Sequence, residues 1–172
     1  MFYTLRFKPD QIAVYAGNYE YSTSDVDLAQ YAQEIQARGY LTKADLERVA
    51  KWKSPRSAGH ISKNSEEYVK AVTALALQTD NEQLRIESLT LLDGVGLPTA
   101  SVILHFYHIE RYPILDSRAL WSLSLDDSDK YSFEFWWNYT VICRTLATEN
   151  TVDMRTLDKA LWQYSKDNQE SE

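Results

Sequence analysis

The chain has 172 residues, a length for one domain or one domain with a small lobe. Apolar residues at 44% and charged residues at 25% are ordinary globular values and exclude a mostly disordered chain. Five Gly and four Pro exclude collagen-like and low-complexity classes, and a net charge of −7 argues against a uniformly phosphate-binding surface. No apolar run approaches the roughly 18 residues of a membrane span. No apolar leader follows Met1, so a cytosolic protein without membrane contact is the expectation. A lone cysteine, Cys143, cannot by itself build a disulfide, a zinc site or an iron–sulfur cluster. It sits in the apolar run 139–143 and reads as a small core residue. With three His in the chain, a metal site is not expected.

Residues 1–22 are Tyr-rich and aperiodic, with breakers at Pro9-Asp10 and Gly17-Asn18, and read as an irregular arm. Beyond them a single helical domain is expected over 23–165. Ser24 or Asp25 can cap a helix that Arg38-Gly39 closes. Thr42-Lys43-Ala44-Asp45 has the form of a capping box and opens a helix to about Lys53, which Ser54-Pro55 ends. A loop from Arg56 to Lys63 follows. Asn64 or Ser65 caps a helix whose predicted apolar stripe is Tyr68, Val72, Leu75 and Ala76. Thr79 or Asp80 opens a helix with Leu84, Leu89, Leu91 and Leu92 inward. A hairpin over 81–108 then turns at Asp93–Leu97 into a helix from Pro98. Further helices follow Asp116, span about 133–147, and run from Asp153 to about Tyr164. Residues 166–172 read as a flexible acidic tail. The predicted fold class is all-α.

Charge is uneven along this chain. Residues 38–63 hold Arg38, Lys43, Arg48, Lys51, Lys53, Arg56 and Lys63 against only Asp45 and Glu47. Acidic residues gather late, at Asp126, Asp127, Asp129, Asp167, Glu170 and Glu172. The basic island is either a solvated helix face or a phosphate contact.

The most informative stretch is Leu91-Leu92-Asp93-Gly94-Val95-Gly96-Leu97-Pro98-Thr99-Ala100-Ser101. Gly94 and Gly96 can expose bare backbone amides. Pro98 suits the first turn of a helix. Amides beside a helix N-terminus make an anion site, and a nucleic-acid phosphate is a natural guest. This frame resembles the helix-hairpin-helix DNA glycosylase superfamily, the endonuclease III-like proteins. Their hairpin reads Leu-Pro-Gly-Val-Gly-x-x-Thr-Ala; here Leu92, Gly94, Val95, Gly96, Thr99 and Ala100 stand in register, with Asp93 in place of the Pro. Sixteen residues after Ala100 comes Asp116, and Tyr112-Pro113-Ile114-Leu115-Asp116 is similar to the aromatic-Pro-Ile-Leu-Asp run of the adenine-excising branch. The firm part of the resemblance covers about residues 84–125.

The resemblance implies that Asp116 is the catalytic carboxylate, which stabilises the sugar cation as an N-glycosidic bond breaks and orients a water. By its own position Asp116 is also a helix N-cap. The hairpin residues Gly94, Val95, Gly96 and Thr99 would hold DNA. Lys53, Arg56 and Arg118 are further candidates for phosphate contact. Bifunctional members carry a nucleophilic lysine immediately before the Thr. Here that place is Pro98, so a monofunctional enzyme is implied, releasing base and leaving an abasic site. The family's cluster-binding cysteines are absent, and Trp121 stands where members often carry arginine. No cofactor is implied, except a monovalent cation as a candidate at the hairpin. Trp52 and His105 are candidate pocket residues, each with a competing reading: core packing for Trp52, a satisfied histidine for His105. His60 reads as a lone loop histidine. Three readings stand: a monofunctional glycosylase, a non-catalytic helix-hairpin-helix DNA-binding module, and an interaction protein without a nucleic-acid role. A protein partner stays open.

Overall fold

The structure is a computed structural model that describes residues 2–20, 22–125 and 131–169. Asp126, Asp127, Asp129, Glu170 and Glu172 of the acidic segments lie outside the described residues. Helices and turns account for the regular structure of the described residues. The all-α expectation is met.

Helix-to-helix packing divides the chain into two compact units. The first joins Met1–Ser22 to Tyr112–Glu172, and the second is Thr23–Arg111. This differs from one continuous domain after an irregular arm, because the first residues pack with the last. In the first unit a 3-10 turn, Pro9–Gln11, leads into α1 (Ile12–Gly17). Helices α9 (Ser117–Ser122), α10 (Phe133–Glu149) and α11 (Met154–Asn168) complete it, with α11 packed against α1, α9 and α10. Thr4 and Arg6 bond to the end of α9, Thr4 N to Leu123 O at 3.0 Å and Arg6 N to Ser122 O at 2.9 Å. Phe7, Tyr15 and Tyr164 pack ring on ring at 4.7–5.2 Å. The arm is thus ordered by aromatic burial that its own periodicity does not announce. Helix α11 runs to Asn168, beyond the expected end near Tyr164.

The second unit holds α2 (Ser22–Ala29), α3 (Ala32–Arg38), α4 (Lys43–Lys53), α5 (Ala58–Ile61), α6 (Glu66–Gln78), α7 (Glu82–Leu89) and α8 (Leu97–Tyr107). Helix α8 is its centre: nine of its residues are buried, and α3, α4 and α7 pack on it. The single helix expected up to Ala37 is two, separated by a turn at Gln30-Tyr31. The loop expected at 56–63 contains the 3-10 turn Pro55–Ser57 and α5. The capping box at Thr42 forms, with Asp45 N bonded to Thr42 Oγ1 at 3.2 Å and Thr42 N to Asp45 Oδ2 at 2.8 Å. Ser65 caps α6 and Asn81 caps α7, through bonds from Tyr68 N and Leu84 N. The α6 stripe is Val69, Val72, Thr73 and Ala76, so Tyr68 and Leu75 are exposed. Leu84 and Leu91 are also exposed, while Ile86, Leu89 and Leu92 take the interior.

Candidate functional site: a hairpin turn and a capping carboxylate

The hairpin lies in the second unit, between α7 and α8. Leu92 to Val95 form a tight turn closed by Val95 N to Leu92 O at 3.0 Å. Gly94, its third residue, has φ +83°, the left-handed conformation that a type II turn demands there. Gly96 is the N-cap of α8, extended at φ −96° and ψ 175°. Among the described residues the amides of Gly94 and Gly96 meet no hydrogen-bond partner. Helix α8 adds the positive end of its dipole. Leu97 and Pro98 occupy its first two positions.

A residue distant in sequence braces this turn. Asn64 is 4% exposed. Its Oδ1 accepts from Asp93 N at 2.9 Å and its Nδ2 donates to Asp93 O at 3.0 Å and to Ile61 O at 3.0 Å. One amide side chain therefore clasps both polar groups of Asp93. Asn64 reads from the sequence as a cap for α6, but Ser65 does that work and Asn64 is turned to the hairpin.

The four hairpin candidates are placed differently. Gly94 and Gly96 reach the surface with bare backbone. Val95 and Thr99 are buried, so their side chains belong to the interior, and the Val95 amide is already used by the turn. The Asp93 side chain is exposed at the tip. The carbonyls of Leu92, Asp93 and Gly96 each accept a hydrogen bond already, from Val95 N, Asn64 Nδ2 and Ala100 N. Each keeps a second lone pair, and no step below uses the candidate monovalent cation. No group of three or more His, Cys, Asp or Glu able to hold a metal occurs among the described residues.

Lys53 and Arg56 of the basic island lie at the end of α4 and in the following turn, Arg56 exposed and Lys53 partly so. Other cations of the island are committed inside it. The buried carboxylate of Asp45 pairs with both Arg38 and Arg48. Lys43 Nζ donates to Ser62 O at 2.7 Å. Trp52 meets Phe106 edge-on at 5.7 Å, and with Asp27, Tyr31, Arg48 and Lys51 it lines a cleft of about 380 Å³. His105 is 2% exposed within α8 and does not line that cleft. Its carbonyl accepts from Arg111 Nη1 at 3.1 Å. His60 is exposed.

Asp116 stands in the first unit, as N-cap of α9, and its Oδ1 accepts from Arg118 N at 3.0 Å. The side chain is half-buried. The backbone leading to it is fixed on both sides. Tyr139 Oη donates to Ile114 O at 2.9 Å, and Asp158 Oδ1 accepts from Ile114 N at 3.1 Å. Asp158 is itself paired with Arg155. Full burial raises the Tyr139 phenol well above its ordinary range, so it stays the protonated donor. Cys143 is buried beside it, its thiol also raised by burial, as a core residue. Tyr139 and Asp158 are supports of the Asp116 segment that sequence reasoning misses; their distance from Ile114 along the chain leaves no local signal. The side chain of Arg118 lies over the Trp162 ring, 5.4 Å from its centre.

No helix among the described residues is long and apolar enough to cross a membrane. No protein-family model matches the chain, and no curated protein matches it. Among solved structures the chain is similar to the Methanocaldococcus jannaschii 8-oxoguanine glycosylase/lyase, crystallised in complex with a 15mer DNA containing 8-oxoguanine. The TM-score is 0.52 and the identity 17%, over 93% of this chain and 80% of that one. The chain has the helical fold of a DNA glycosylase.

Proposed function

We propose that this protein is a monofunctional DNA glycosylase that hydrolyses the N-glycosidic bond of a damaged or modified base. The observation that carries the reading is Asp116, a half-buried carboxylate at the head of α9 whose preceding backbone is held at Ile114 by Tyr139 and Asp158, in a chain with a glycosylase fold. In the reaction the bond from C1′ to the base nitrogen breaks and its electron pair leaves with the base. Positive charge grows on the sugar, and the fixed carboxylate stabilises it. Water adds its oxygen to C1′ and gives up a proton, which ends on the departing base or in solvent. The target nucleotide must leave the stack to reach such a group. The bare amides of Gly94 and Gly96 hold a backbone phosphate, with Lys53, Arg56 and Arg118 as supporting cations. Pro98 stands where bifunctional relatives place their amine nucleophile, so this chain forms no Schiff base there and the product is an abasic site.

The test is base release by wild type and by Asp116→Asn on duplexes that carry 8-oxoguanine, uracil, alkylated and hypermodified bases. Loss of one aimed electrostatic group lowers the rate by about 10²–10³. The variant is expected to lose release by that factor while keeping DNA affinity. Equal release from both proteins removes Asp116 from the chemistry. Absence of release from the whole panel, with DNA affinity intact, favours a binding module.

A further inference from the structure

Helix α11 carries a basic and aromatic face that the reaction above leaves unused. Arg155, Lys159, Trp162 and Lys166 follow one another at intervals of four, three and four residues, so they form one row along the helix. The opposite side of α11, with Leu157, Ala160 and Leu161, is buried. Tyr19 meets Trp162 edge-on at 5.4 Å. Arg155 and Lys159 lie over Tyr19, at 5.3 and 5.5 Å from its ring centre. Arg118 and Lys166 lie over Trp162, at 5.4 and 5.7 Å. Four cations therefore surround two flat rings within the first unit, and one of them, Arg118, is two residues beyond Asp116. All six side chains are partly exposed. Arg155 pairs with Asp158 and Lys166 with Glu20.

We propose that this face takes the sugar–phosphate backbone of a nucleic acid. The proposal rests on the glycosylase reading for the kind of polymer involved and adds a contact surface to it. At a rise of 1.5 Å per residue the row from Arg155 to Lys166 is about 16 Å long. At 3.4 Å per nucleotide along one strand, that length spans about five phosphates. Cations held in a row over aromatic rings suit a nucleotide chain, which offers phosphates at regular intervals. The face also continues onto α9, where a strand engaged at Asp116 would meet Arg118.

The experiment is fluorescence anisotropy on a labelled duplex from 50 to 200 mM salt. It compares wild type, Lys159→Gln/Lys166→Gln and the charge-matched control Lys8→Gln/Lys70→Gln. Glutamine keeps helix propensity close to that of lysine, and circular dichroism checks folding. The slope of log affinity against log salt is expected to fall by about 2 in the α11 variant, one for each lysine removed. The control keeps the wild-type slope. An α11 variant with wild-type slope and affinity overturns the proposal and leaves the face to an acidic protein. A control that loses as much as the α11 variant also overturns it, since net charge then explains the effect. A wild type that binds no DNA at any salt overturns the glycosylase reading itself, and this proposal with it.

Discussion

The two hairpin glycines answer to different demands. Gly94, at φ +83°, is required by the turn, since a side chain there meets left-handed strain of about 1–2 kcal/mol. Gly96 has φ −96°, which any residue adopts, and a Cβ there would meet only Pro98 Cδ at 3.7 Å, an ordinary contact. The fold therefore does not need glycine at 96, and a serine there would cap α8. On the reading proposed, its bare backbone leaves room for a phosphate. Gly96→Ser is expected to keep or raise the melting temperature and to weaken DNA binding about tenfold, roughly 1.4 kcal/mol. Thermal denaturation and anisotropy on the same preparation check this. Unchanged affinity would separate the turn from nucleic acid. Asp93 and Asn64 complete the picture at this scale. Asp93 exposes its carboxylate at the tip of the turn, and its backbone is held by the buried amide of Asn64.

At the scale of elements, the end of α8 meets α7 through a buried cation and a histidine. Arg85 Nη1 lies 2.6 Å from His108 Nε2 and also donates to Ala76 O at 2.9 Å. Burial first, then the Arg85 charge, holds the His108 imidazole below its ordinary value. The folded state then binds fewer protons at this group than the unfolded chain. Stability is full above about pH 6.5 and falls as pH drops through the lowered folded value. The melting temperature is expected to decline from pH 7 to pH 5, and more gently in His108→Gln. Equal slopes for the two proteins would remove His108 as the cause. Helix ends were legible because their signals are local: Thr42 with Asp45, Ser65, Gly39, Ser54-Pro55 and Asp116 all act within a few residues. Stripes were less legible. Tyr68 and Leu75 satisfy helical periodicity as well as Val69 and Thr73 do, and only the packing of α7 and α4 on α6 decides which row is buried. The hairpin and Asp116 could be read as motifs. The supports Asn64, Tyr139 and Asp158 could not, because each acts on backbone 25 to 44 residues away.

For the whole molecule, charge is the quantity that separates the readings. A net charge of −7 repels a polyanion at long range, so affinity for DNA must come from local groups and be strongly salt-dependent. The island at 38–63 contributes less than its composition suggests, because Asp45 takes up Arg38 and Arg48. On the reading proposed, each unit nonetheless supplies its own group for a nucleic acid: the glycine turn in the second, Asp116 and the α11 face in the first. The central claim is hydrolysis without strand cleavage. The most direct measurement follows duplexes bearing 8-oxoguanine and other altered bases with the wild-type protein, and resolves the strands before and after hot alkali. Hydrolysis alone gives intact strands before alkali and breaks at the altered base after it. Breaks that appear before alkali, together with a borohydride-trapped protein–DNA adduct, would contradict it.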